Sequence, residues 1–359
     1  MRVGMPTEGP LFPDDGPFGA RLLRRVRGIA LELVAFVLVT VLFPVLLLGA
    51  AVVDLALWVR HRKPWVGVRL VAFAWWFLFG EIRALVALLA IWVGTGGPFG
   101  RGSLRRARGI YVLRVHWSGS HLAGVRVLFG LRFEVESPEL AGPGPAVIMM
   151  RHASIVDNVL PDVFVAREHG IGLRFVVKRE LQMIPTIDIG GRWAPTFYAR
   201  RGSGDTEVEV AGLRSLAHGL GRWEAIVIYP EGTRFTTAKL ERAKRVIAER
   251  QPEIAPLADR LQHVLPPRLG GPIALLDEAR GVDVVFCGHA GFDGYAHVSD
   301  IWSGRLVGRT IHIRFWRHAA AEIPDGEEAR IAWLYERWQA VDDWVGAQRR
   351  IEHEEGVVD

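Results

Sequence analysis

The run Ala146-Val147-Ile148-Met149-Met150 passes directly into Arg151-His152-Ala153-Ser154-Ile155-Val156-Asp157, and that junction decides how the chain is read. A short apolar run bounded by polar residues reads as a buried strand. The histidine behind it then falls at the strand's C-terminal end, where α/β sheets place their sites. A second junction has the same form: Ala225 to Tyr229 is apolar, and Tyr229-Pro230-Glu231-Gly232-Thr233-Arg234-Phe235-Thr236 continues it. Outward from these two, β-type runs recur at Leu131–Glu136, Leu173–Val177, Val282–Cys287 and Thr310–Phe315. Helical patterns alternate with them near Val159–Glu168, Glu207–Leu220, Ala238–Glu249 and Glu327–Gln348. Such alternation predicts an α/β domain whose sheet is flanked by helices on both faces. In the last helix Asp325 is a candidate N-cap with Glu328 three places on. Ile331, Leu334, Trp338, Val341 and Val345 repeat there at helical spacing, as a packing stripe does.

The N-terminal part has a different composition. Mean hydropathy is +0.19, and the apolar excess is concentrated between Ile29 and Val93. Residues 1–20 are Pro- and Gly-rich and read as a disordered leader, without a cleavable signal peptide. Residues 21–94 read as a membrane-anchoring region of two apolar stretches, Ile29–Val59 and Trp65–Val93, joined by the basic Arg60-His61-Arg62-Lys63-Pro64. Each exceeds the about 20 residues that span a bilayer as a helix. Pro44 is expected to kink the first. Two topologies fit: a hairpin of two crossings, which is favoured, or a pair of stretches dipping into one leaflet. Glu81 and Arg83 read as charges at a helix end or an interface. Residues 95–109 read as a basic linker, and residues 110–359 as the catalytic domain.

With 44 Lys+Arg against 39 Asp+Glu, the net charge is only +5. Arginines cluster beside the apolar stretches, at Arg21, Arg24, Arg25 and Arg27 and again at Arg101, Arg105, Arg106 and Arg108. That placement suits anionic lipid headgroups. A nucleic-acid partner is disfavoured, because no helix-turn-helix pattern, zinc-ligand set or continuous basic stripe occurs. The single cysteine, Cys287, excludes an internal disulfide and reads as a buried strand residue. No cluster has metal-ligand spacing, and His289 and Asp293 read as a loop that follows a strand.

The chemistry rests on the two junctions together. His152 is a candidate general base, since imidazole titrates near neutrality. Asp157, five places on, can return to Nδ1, fix the tautomer and stabilise the imidazolium. In the second string Gly232 permits close backbone approach and Arg234 can hold a phosphate bidentately. Glu231 could accept from an acceptor hydroxyl or orient Arg234. A hydrolase using the same histidine lacks a nucleophile elbow. An inactive membrane scaffold is disfavoured by the presence of both strings in one chain.

These residues resemble the glycerolipid acyltransferases of the lysophosphatidic acid acyltransferase superfamily. His152 and Asp157 match the H-x-x-x-x-D motif, and Glu231-Gly232-Thr233-Arg234 matches the E-G-T-R block. Lys178-Arg179-Glu180-Leu181, Pro185 and Phe197-Tyr198-Ala199-Arg200 look like the block between them. Phe235-Thr236 and Leu265-Pro266-Pro267-Arg268 are similar to the lysocardiolipin acyltransferase-like branch. The resemblance covers about residues 130–315. It implies a mixed α/β sheet behind a membrane-embedded helical hairpin, with the catalytic domain on the cytoplasmic side. It also implies acyl transfer from acyl-CoA or acyl-carrier protein, as co-substrate and with no cofactor, to a lysophospholipid such as 1-acylglycerol-3-phosphate. His152 would be the base and Asp157 its partner. Arg200, Glu231, Gly232, Thr233 and Arg234 would bind the acceptor, with Lys178 and Arg201 as alternative phosphate ligands. Two positions depart from the family pattern: Arg151 stands where an Asn is frequent, and Ala199 replaces an acidic residue.

Overall fold

The computed structural model describes residues 9–13, 16–100, 102–199, 206–295 and 297–354. Two long apolar helices come first, α1 over Phe18–His61 and α2 over Gly67–Gly94, and a third, α3, covers Leu104–Phe129. At about 1.5 Å per residue α1 runs about 66 Å, twice the about 30 Å of a bilayer's hydrocarbon core. Pro44 lies inside α1 without ending it. The first two helices form an antiparallel hairpin. Asp54 near the end of α1 accepts from the backbone amides of Gly67 and Val68 at 2.9 Å each, capping the start of α2. Further along, Phe36 meets Phe79, and Phe43 meets Trp75.

The hairpin does not stand clear of the rest of the chain. α2 lies against α3 along its length, from Phe73 on Phe129, through Trp76 donating to the Ser120 carbonyl, to Ile91 beside Gly109. Glu81, fully buried in mid-helix, accepts from Trp117 of α3 at 2.7 Å and from Thr186 at 2.5 Å. Of the two placements the sequence allowed, Glu81 thus takes the interface between helices and not a helix end. In turn α3 is tied to the α/β domain where Arg114 and Ser118 both donate to Asp162 at 2.8 Å. The α1 helix is held at both ends. Arg24 and Arg25 each approach the buried Asp188 at 3.0 Å, and the connection to α2 sets Lys63 over the Trp302 ring at 4.6 Å.

Behind α3 the chain forms a seven-stranded sheet of β1 (Arg132–Glu136), β2 (Ala146–Met150), β3 (Gly172–Lys178), β4 (Thr196–Ala199), β5 (Glu224–Ile228), β6 (Asp283–Ala290) and β7 (Thr310–His318). The order is β1-β7-β6-β2-β5-β3-β4. β6, β2, β5, β3 and β4 are mutually parallel, whereas β7 pairs antiparallel with β6 and parallel with β1, so the sheet is mixed. Alternate residues of each strand serve opposite faces. Ile148, Met150, Val227 and Cys287 pack towards α3 and the helical turns of residues 156–167, and Val147, Met149, Ile226 and Phe286 towards the other helices. Those are α4 (Pro185–Gly190), α5 (Thr206–Ala217), α6 (Thr237–Arg250), α7 (Ala255–Asp259), α8 (Gly270–Glu278) and α9 (Glu327–Glu354), of which α5, α8 and α9 cover the second face. Leu334, Trp338, Val341 and Val345 of α9 are fully buried there, as the packing stripe requires.

Four sequence expectations are corrected. Residues 104–109 are not linker: they open α3, whose N-cap Ser103 accepts from the Arg106 amide. The helix had no apolar stripe to announce it, because α2 covers one flank and the sheet another. β4 is a four-residue edge strand behind Pro195, too short for a pattern to register. α9 begins after Gly326, and Asp325 pairs with Arg330 at 3.5 Å instead of capping the helix. Finally, β6 runs on through Gly288, His289 and Ala290. Gly288 leaves room for Trp316 and Trp344 above it, so a turn-like composition is held as strand.

Candidate active site

The C-terminal ends of β2 and β5 are neighbours, so the two motif loops emerge side by side. Three backbone-level links join them. The Phe235 amide donates to the His152 carbonyl at 2.7 Å, the His152 amide donates to Glu231 Oε2 at 2.5 Å, and the Tyr229 hydroxyl donates to the Asp157 carbonyl at 3.0 Å. Tyr229 also lies beneath the His152 ring, with centroids 4.5 Å apart.

Asp157 sits in a single helical turn, Val156–Val159, that brings its side chain back over the loop. Its Oδ2 lies 3.1 Å from His152 Nδ1 and accepts from the amides of Ala153 and Ser154 at 2.6 and 2.7 Å. That arrangement leaves His152 Nε2 as the nitrogen available to a substrate proton. Burial opposes ionisation of Asp157, but nearby His289 and the hydrogen bond from His152 outweigh it and hold the carboxyl well below its ordinary range.

Glu231 is held from within the protein. It is almost fully buried, and its oxygens are committed to two backbone amides, His152 through Oε2 and Leu265 through Oε1 at 2.8 Å. Burial pushes its pKa up to about 8, against the downward pull of Arg151 and both amides. It braces the two loops against each other. Gly232 has a positive φ of 65°, and a Cβ there would lie 2.7 Å from the Arg268 side chain. Its bareness thus admits a guanidinium over the loop. Lys239 of α6 donates to Thr233 Oγ1 at 3.2 Å and to the Arg234 carbonyl at 2.8 Å, fixing both residues. Arg234 directly precedes the residue bonded to His152.

Lys178 ends β3, two strand spacings from β2, about 10 Å at about 4.8 Å per strand. It is exposed and lies 3.6 Å from Glu180, so the structure does not gather it with His152. Arg200 and Arg201 lie outside the described residues. Two cations near the site were missed as site residues, Arg268 and Lys239. Arg268 had a signal in Leu265-Pro266-Pro267-Arg268; Lys239 had only its place on a basic helix. Arg151 is fully buried and holds Asp293 at 2.5 and 3.2 Å and the carbonyls of His289 and His263 at 2.7 and 2.8 Å. Its departure from the Asn pattern is thus a structural clamp.

A strand-end histidine held by a buried carboxylate thus lies beside the loop of Arg234, with Lys239 and Arg268 against that loop. Residues 132–258 match the family model described as Acyltransferase. The curated mouse (Mus musculus) protein 1-acyl-sn-glycerol-3-phosphate acyltransferase epsilon is 26% identical over 208 residues, which is 55% of this chain and 56% of that protein. The chain thus matches about half the length of this relative. The crystal structure of the 1-acyl-sn-glycerophosphate (LPA) acyltransferase PlsC from Thermotoga maritima aligns with a TM-score of 0.39 at 16% identity, covering 73% of this chain and 96% of that one. The acyltransferase match thus falls on the α/β domain, from β1 to α7.

Proposed function

We propose that the protein transfers a fatty acyl group from a thioester donor, acyl-CoA or acyl-carrier protein, to the free hydroxyl of a lysophospholipid. The first candidate acceptor is 1-acylglycerol-3-phosphate, in keeping with the name of the mouse relative. His152 Nε2 takes the hydroxyl proton as the oxygen attacks the thioester carbonyl. The tetrahedral intermediate collapses by breaking the carbon–sulfur bond, and the imidazolium returns the proton to the departing thiolate. Asp157 keeps the ring in the required tautomer and offsets its positive charge while it lasts. Arg234 and Arg268 offer guanidinium groups to the acceptor phosphate. The observation that carries this reading is the direct bonding of the two motif loops at His152.

The outer face of α1, with Val37, Val41, Val45, Leu48 and Val52 all exposed, is the surface proposed to enter lipid. Because α2 stays against the arginine-bearing α3, insertion into one leaflet replaces the two-crossing hairpin as the preferred topology. The α/β domain is placed on the cytoplasmic side, where the flanking arginines favour it.

The test measures labelled acyl transfer to a panel of lysolipids by native protein and by His152→Ala. Thioester-dependent diacyl product should form, and the variant should lose about 10²–10⁴-fold in rate. Full activity in the variant removes His152 as base; water as the preferred acceptor turns the assignment to a hydrolase. For topology, a cysteine at His61 should be labelled from the same side as the domain. Labelling from the opposite side restores the two-crossing hairpin.

A further inference from the structure

β6 carries a histidine that the proposed reaction does not use. His289 is fully buried in a strand with neighbours on both sides. Its Nε2 lies 3.1 Å from the Arg151 carbonyl oxygen and 3.4 Å from Asp157 Oδ1. Both neighbours are acceptors, so the proton of a neutral ring belongs on Nε2. Nδ1 meets no partner among the described residues. A proton-free nitrogen suits that place, because a second buried N–H would go unpaired.

The geometry of Asp157 shows what the ring supplies. Oδ2 takes the three donors from His152, Ala153 and Ser154. Asp157 is fully buried and its Oδ1 makes no hydrogen bond of good geometry among the described residues, with His289 Nε2 standing 3.4 Å from it. An ionised carboxylate with one bare oxygen in a dry interior is costly. An N–H directed at Oδ1 lowers that cost and leaves Oδ2 to His152. His289 is itself held firmly: its carbonyl accepts from Arg151 Nη1 at 2.7 Å, and the Phe292 ring stands edge-on at 6.0 Å. Arg151 in turn is fixed by Asp293. Side chain and backbone of one residue thus tie β6 to the loop that bears both members of the pair.

We infer that His289 is a positioning residue that shares its Nε2 proton between the Arg151 carbonyl and Asp157 Oδ1, holding the carboxylate ionised and aligned on His152. The inference rests on the His152–Asp157 reading above and adds a third residue to it.

Three variants separate this role from mere packing: His289→Phe removes the donor, His289→Gln restores an amide N–H at similar reach, and His289→Asn sets the same amide one methylene short. Each is assayed for acyl transfer beside native protein and His152→Ala, with thermal midpoints recorded. His289→Phe should lower kcat about 10–100-fold, the usual cost of losing a supporting partner. KM for donor and acceptor should stay within about twofold, since neither touches the ring. His289→Gln should recover most of kcat and His289→Asn should not. Equal kcat for Gln and Asn at matched thermal midpoints overturns the proposal, also where His289→Phe fails to fold. A native kcat in His289→Phe, with His152→Ala inactive, overturns it while leaving the base assignment standing. Full activity in His152→Ala overturns both.

Discussion

The loops after β2 and β5 each bury a carboxylate just past the strand, and the two acids do opposite work. Asp157 gathers donors that include an imidazole, and its pKa falls. Glu231 gathers backbone amides, and its pKa rises to about 8 because burial outweighs them. In the sequence both stand as acids in site motifs. In the fold Asp157 bonds the ring of His152, whereas Glu231 bonds the backbone amides of His152 and Leu265. The proximity of an acid to His152 therefore does not assign it a role; the atom it bonds does.

Asp157→Asn should have the largest effect. With the tautomer and the countercharge lost, kcat should fall by about 10²–10⁴-fold, as for loss of the base itself. Native turnover would erase the distinction between the two acids. Glu231→Gln should instead lower stability by about 1–3 kcal/mol, because one backbone amide then faces an NH₂ group. Denaturant unfolding checks this, and kcat of the folded protein should remain within about fivefold of native. A collapse of kcat at unchanged stability would return Glu231 to the acceptor. Arg268→Ala should raise the acceptor's KM by about tenfold, or about 1.4 kcal/mol, at constant kcat. An unmoved KM would shift the phosphate away from Gly232.

The smallest effect is in the pH dependence of stability, where the two acids should differ in sign. Asp157 is depressed from 3.8, so its contribution is present above that pH and is lost as pH falls through the folded value. Glu231 is raised from 4.5 to about 8, so its contribution is present below 4.5 and is lost as pH rises through about 8. Thermal scans of Asp157→Asn should converge on native protein in acid, and those of Glu231→Gln on the alkaline side. Convergence on the same side for both would break the contrast.

Much of this fold was legible because buried parallel strands declare themselves as apolar runs. β2 and β5 are buried throughout and were read to within a residue. α3 was not, since Arg106, Ser118 and His121 are buried by neighbouring elements rather than by an apolar stripe of their own. At the site, the pairing of His152 with Asp157 and the neighbouring Glu231–Arg234 loop were readable from spacing. The brace role of Glu231 was not, because it depends on the Leu265 amide, 34 positions away. His289 was read as loop because Gly288 and Gly291 flank it, and only the tryptophans over Gly288 show why the strand continues.

The double fastening of α1 bears on how the protein can be handled. A fragment starting at Leu104 would strip Arg24 and Arg25 from Asp188 and uncover the flank of α3 on which Phe73 and Leu88 rest. The hairpin is thus part of the wall of the α/β domain, and detergent or lipid, rather than trimming, is the route to a soluble and active preparation.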